Sequence, residues 1–119
     1  MIIRLKRIYE PADPDDGFRI LVDRLWPRGI SKERAGIDLW LKDAAPSPEL
    51  RKDFCHDPAK WEEFRAHYFG ELENNRDAVP LIRDHAARGT VTLVYAAKDE
   101  EHNHALVLKE FLEKRKSKS

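Results

Sequence analysis

A chain of 119 residues with 22 basic and 22 acidic side chains is long enough for one core and short for two, so residues 1–119 read as a single domain. The even charge balance argues against a protein devoted to gripping nucleic acid, because neutralising phosphates normally takes a basic excess. A single cysteine, Cys55, excludes an internal disulfide and points to a reducing, cytoplasmic setting. No run of about 18 apolar residues is available to span a membrane, and Met1 to Tyr9 lacks the apolar stretch of a signal peptide.

Near the amino terminus Ile3 and Leu5 alternate with Arg4 and Lys6, the period-2 pattern of a strand with one buried face, predicted over residues 2–8. Pro11 to Gly17 concentrates Pro, Asp and Gly and reads as a loop. Phe18 to Asp23 is dense in Ile, Leu and Val and stops at Trp26-Pro27-Arg28-Gly29. That is the pattern of a buried central strand leaving the sheet through an irregular turn. Ser31 is placed to cap a short helical turn over Lys32 to Ala35 that Gly36 ends. Residues 38–42 alternate imperfectly, and a short strand is predicted there.

Ser47-Pro48 and Asp57-Pro58 each set an N-cap residue before a proline at the first helical position. In the second of these helices Trp61, Phe64, Tyr68 and Leu72 fall on one stripe. Asp77 is placed to cap a further helix that turns Leu81, Ile82 and His85 inward and stops at Gly89. Thr90 to Tyr95 is the plainest strand, β-branched and aromatic throughout. The helix after it is expected to open near Asp99 or Glu101, to carry Leu106, Leu108, Phe111 and Leu112, and to fray over basic residues 114–119. The alternation of helices and strands predicts an α/β fold, a single layer of short, mainly parallel strands covered by helices.

In such sheets ligands bind beyond the carboxyl ends of the strands, which here means the loops Asp23 to Gly29 and Tyr95 to His104. Arg24 and Arg28 around Trp26 offer two planar forks and an aromatic face, suited to a carboxylate, a phosphate or a flat ring. Lys98, Asn103 and His104 run into a helix N-terminus, where free amides favour anions. A composite site would use Asp23 and His104 for proton transfer and Arg24, Trp26, Arg28, Tyr95, Lys98 and Asn103 for ligand contacts. The competing reading of both loops is structural: an ion-pair network around Asp23 and Arg24, and a helix cap made by Asp99 with Glu100 and Glu101.

Other chemistries lack their scaffolds. His102 and His104, two positions apart, point to different faces of a helix, so no metal site is predicted. Cys55-His56-Asp57 holds the residue types of a nucleophile, base and orienter, but sequence neighbours seldom face one another. Asp57 is accounted for as a cap and Cys55 as a small buried hydrophobe. Glycine-rich phosphate loops and the nucleophile elbow are absent from the sequence. Trp40, Trp61 and Tyr68 are assigned to packing.

Ile20 to Gly29, Asp38 to Lys42, Phe54 to Pro58 and Val94 to His104 together resemble the YeaO-like branch of domain-of-unknown-function family 488, over nearly the whole chain. The resemblance carries no activity, cofactor or catalytic residue with it. Other branches are similar at a strand-end Asp-Arg, here Asp23-Arg24, and at a later Cys-His-Arg turn, where this chain has Asn103-His104-Ala105. The resemblance therefore implies a polar or anionic-ligand site using Asp23, Arg24, Arg28 and His104 rather than a thiol mechanism. The expectation is a small anionic ligand bound at the strand ends, with or without catalysis and with no cofactor named. The alternative is a module that binds protein or, less favoured, nucleic acid through Arg4, Lys6, Arg7 and Arg24.

Overall fold

The computed structural model describes residues 2–54 and 57–116. Cys55 and His56, and with them the burial expected of that thiol, lie outside the described residues, as do 117–119 at the end of the segment expected to fray. Four strands, β1 (Ile3–Arg7), β2 (Phe18–Leu21), β3 (Leu39–Trp40) and β4 (Val91–Tyr95), form one sheet in the order β1-β4-β2-β3, every pair parallel. Among the described residues five α-helices connect and cover them: α1 (Lys32–Ala35), α2 (Pro48–Phe54), α3 (Trp61–Glu73), α4 (Ala78–Arg88) and α5 (His104–Lys116). No helix among the described residues is long and apolar enough to cross a membrane.

The sheet separates two clusters. On one face Ile3, Ile20, Val22, Leu93 and Tyr95 pack against Phe64, Tyr68 and Leu72 of α3, Ile82 of α4 and Leu108, Phe111 and Leu112 of α5. On the other, Leu21 and Val94 meet Ile8 and Ala35, with Trp26, Ile37 and Trp40 packed around them. Buried on both faces, β4 is covered along its whole length, which explains why its sequence is nearly continuous in apolar and β-branched residues. Truncating a side chain such as Leu93 or Ile82, both fully buried, costs about 2–5 kcal/mol in typical cores.

Several helix ends differ from expectation for local reasons. The cap of α4 is Asn75, whose Oδ1 accepts the Ala78 N–H at 2.9 Å; Asp77 itself has helical backbone angles, and its side chain makes no cap bond. Leu81, expected inside, is exposed, whereas Ile82 is buried and His85 stacks on Phe18 with ring centroids 4.0 Å apart. Asp99 caps a turn, accepting the Glu101 and His102 N–H groups. The helix starts later, with Asn103 Oδ1 accepting the Leu106 N–H at 3.1 Å. The Glu101 amide in particular holds the Asp99 carboxyl below its ordinary range.

The second face carries a polar knot. Arg19 is buried and donates to Asp16 at 2.5 Å, Ala35 O at 2.8 Å and Gly36 O at 3.0 Å. Asp16 also accepts from Lys6 Nζ and the Asp13 amide, so both buried charges are paired and hydrogen-bonded, as burial requires. Beside it, Gly17 has φ +66°, and a Cβ there would stand 2.2 Å from the Thr90 carbonyl oxygen.

Burial raises the Asp16 carboxyl, but the bonds from Lys6, the Asp13 amide and Arg19 outweigh it and leave it below its ordinary value of 3.8. Its contribution is thus complete above that value and is lost as pH falls through the folded pKa. Asp16→Asn leaves Arg19 without its counter-charge and is expected to cost about 3 kcal/mol near neutral pH. In urea denaturation the gap between variant and wild type narrows as pH falls below 3.8; a gap independent of pH would contradict the ionic role. Gly17→Ala is expected to lose at least about 2 kcal/mol through strain and clash. Gly70→Ala, at a helical position with nothing within 4 Å of the added Cβ, gains about 0.5–1 kcal/mol. Thermal melts of the two variants check the contrast.

Candidate functional site

Because β2 and β4 are parallel neighbours, their carboxyl ends open on the same side of the sheet, and the two loops named from the sequence meet there. Asp23 joins them. Its Oδ2 accepts the Ala96 N–H at 3.0 Å, and its Oδ1 lies 3.1 Å from His104 Nε2. Its backbone carbonyl accepts Trp40 Nε1–H at 2.8 Å. His104 Nε2 is also 3.0 Å from the Val22 carbonyl oxygen. A carbonyl and a carboxylate are both acceptors, so Nε2 is the nitrogen that bears the proton. It is therefore closed as a base at that atom. Arg7 completes the clamp on the second loop by donating to Ala97 O at 2.9 Å.

Beyond these strand ends lies a cavity of about 390 Å³, within the size range of small-molecule sites. Asp23, Arg24, Trp26, Arg28, Lys98, Asn103 and His104 line it. Of the residues singled out in the sequence, Tyr95 does not. It is buried in the core, where desolvation raises its phenol pKa while the Asn103 side chain beside it acts in the opposite sense. Asn103 reaches the cavity wall, but both ends of its amide are in use, Nδ2 on Asp99 O at 2.9 Å and Oδ1 on Leu106 N. Of the amides expected to greet an anion, those of Glu101, His102 and Leu106 are likewise capped from within.

The arginines differ in kind. Arg24 is half-buried, and its Nη2 donates to Ala45 O at 3.3 Å and Pro46 O at 3.2 Å, tying the loop before α2 to the β2 exit. Its Nε is buried without an acceptor among the described residues. Neutral carbonyls orient the guanidinium and leave its charge uncompensated. Trp26 donates Nε1–H to Ile30 O at 2.7 Å and meets Trp40 edge to face at 5.4 Å, which shapes the turn carrying Arg28. Arg28 and Lys98 are exposed, and neither forms an ion pair with a described residue.

The structure adds residues that were not anticipated. Arg51, Phe54 and Phe64 also line the cavity, with Tyr9, Leu25 and Pro46 among its other walls. Arg51 and Phe54 are three apart on α2 and so share a face; the helix start at Ser47-Pro48 was the available signal. Ser47 Oγ does accept the Leu50 N–H at 3.2 Å. Tyr68, behind this wall, donates to Ala44 O at 2.5 Å, and burial, followed by the nearby Glu71 and Asp23, keeps it a neutral phenol. Among the described residues no three His, Cys, Asp or Glu side chains are grouped so as to hold a metal.

Comparison with known proteins gives a consistent setting. The chain is 46% identical over 112 residues to the uncharacterized protein YeaO of Escherichia coli K12, covering 94% of this chain and 97% of that one. It is 43% identical over 110 residues to the uncharacterized protein Rv3073c of Mycobacterium tuberculosis H37Rv, covering 92% of each. No solved structure matches. A family model described as the inactive DUF488-N3 subclade matches residues 2–119, and the chain belongs to that subclade of the DUF488 proteins.

Proposed function

We propose that the protein binds a small anionic molecule in the cavity at the carboxyl ends of β2 and β4 and holds it without transforming it. The observation that carries this reading is the charge of the lining. Although the chain as a whole is neutral, Arg24, Arg28, Arg51 and Lys98 face the cavity against one carboxylate, Asp23, among the described lining residues. None of the four cations makes an ion pair with a described residue, and a cavity with low-dielectric walls focuses such unpaired charge on an anion.

Catalysis is the weaker half of the sequence expectation. Asp23 and His104, the proton-transfer candidates, are tied to Ala96, Val22 and each other. A subclade described as inactive agrees with residues that position loops. An interaction module built on Arg4, Lys6, Arg7 and Arg24 is also less well supported. Lys6 is engaged by Asp16, Arg7 by Ala97 and Arg24 by Ala45 and Pro46, so these cations do not form one available stripe.

Isotope-edited amide NMR of the full chain tests the reading. Addition of benzoate or phenyl phosphate is expected to shift the Ala96, Ala97 and Lys98 amides. The double variant Arg28→Ala/Arg51→Ala is expected to lose about tenfold in affinity with an unchanged melting temperature, since neither side chain bonds to a described residue. Amides that stay still with both anions, or an affinity indifferent to the double variant, would sink it.

A further inference from the structure

We propose that the anion is a phosphate monoester carried on a small apolar or aromatic body, an inference that rests on the anion-binding reading above and names its ligand class. Three features converge. First, the cations arrive from separate parts of the chain: Arg24 and Arg28 from the β2 exit, Arg51 from α2 and Lys98 from the β4 exit. Donors that approach from several sides suit a tetrahedral group with three free oxygens. A planar carboxylate offers two oxygens and is satisfied by one guanidinium fork. A monoester also carries about −1.5 to −2 charge at neutral pH, closer to what four unpaired cations demand.

Second, several of the nearby backbone amides are already engaged. The Ala96 amide is taken by Asp23, the Glu101 and His102 amides by Asp99, and the Leu106 amide by Asn103. Guanidinium and ammonium groups are then the main donors for the anion's oxygens, and Arg24, oriented by two carbonyls, is the most rigid of them. Asp23 is turned toward the protein, with Oδ2 on the Ala96 amide and Oδ1 buried 3.1 Å from His104 Nε2, and its single negative charge is outnumbered by the four cations.

Third, the cavity has an apolar side. Leu25, which is exposed, and the half-buried Trp26, Ala45 and Ala97 line it, beside the edges of Phe54 and Phe64, which are buried and stacked with centroids 4.4 Å apart. A bare inorganic anion would leave that wall wet. An attached ring or short apolar chain would cover it, gaining about 25 cal/mol for each Å² of apolar surface removed from water.

Titration calorimetry of the full chain with phenyl phosphate, benzoate and inorganic phosphate separates these ideas. Phenyl phosphate is expected to bind at least tenfold more tightly than either of the others. If benzoate binds as tightly, the phosphate assignment is overturned while the anion cavity stands. Inorganic phosphate binding as tightly would overturn the apolar body. Absence of binding by all three would remove both this proposal and the function it rests on. Arg24→Lys, which keeps the charge and loses the fork, is expected to weaken phenyl phosphate at least fivefold. Should that variant fail to fold, Arg51→Lys, which likewise keeps the charge and loses the fork, supplies the same reading, and an unchanged affinity in the folded variant overturns the assignment.

Discussion

The carboxylate of Asp23 holds the strand-end region together. Two parallel strands deliver their chains to the same edge of the sheet, where their ladder partners run out and the next backbone groups need new ones. Asp23 supplies one to Ala96 and leaves its other oxygen for His104 at the start of α5. It thereby couples the β2 exit, the β4 exit and a helix. The Trp40 indole on the Asp23 carbonyl brings in β3 as well. Without that side chain the two loops keep, among the described residues, only the His104 contact to the Val22 carbonyl between them.

This arrangement explains how one segment serves both of the readings open to it. The Asp23-Arg24 pair is structural in its own bonds, since each side chain reaches backbone groups of another segment. The same bonds immobilise a guanidinium whose charge no described carboxylate cancels. Preorganised charge of that kind favours binding, because the entropy of placing the side chain is lost on folding and not again on association. Arg28, Arg51 and Lys98 lack such bonds and act at the rim, where solvent screens them more strongly.

The polar knot on the opposite face has the reverse character. Arg19 and Lys6 both pair with Asp16, and Arg19 also satisfies the Ala35 and Gly36 carbonyls, so each charge of the knot has an opposite charge in contact and the loop before β2 is closed. Charge is plentiful throughout this chain. What distinguishes the cavity is charge left uncompensated.

The sequence by itself determined the elements and their order, because hydrophobic period, proline position and capping residues act over a few neighbours. The short helix between Ser31 and Gly36, the helix start at Ser47-Pro48 and the strand ending at Tyr95 are all local statements, and each is present. Capping was less legible where two competent residues stood close together. Asn75 displaces Asp77, and Asn103 takes the cap of α5 from Asp99, because backbone angles set by the tertiary path decide which oxygen reaches an amide. The family was readable too, since it lies in runs such as Asp23 to Gly29. The strand order was decided by the tertiary structure: β4 between β1 and β2 is a matter of long-range pairing that no local pattern encodes. From that order follow the meeting of the two loops, the withdrawal of Tyr95 into the core and the arrival of Arg51, Phe54 and Phe64 at the cavity. Residues distant in sequence become one site only when the sheet sets their positions.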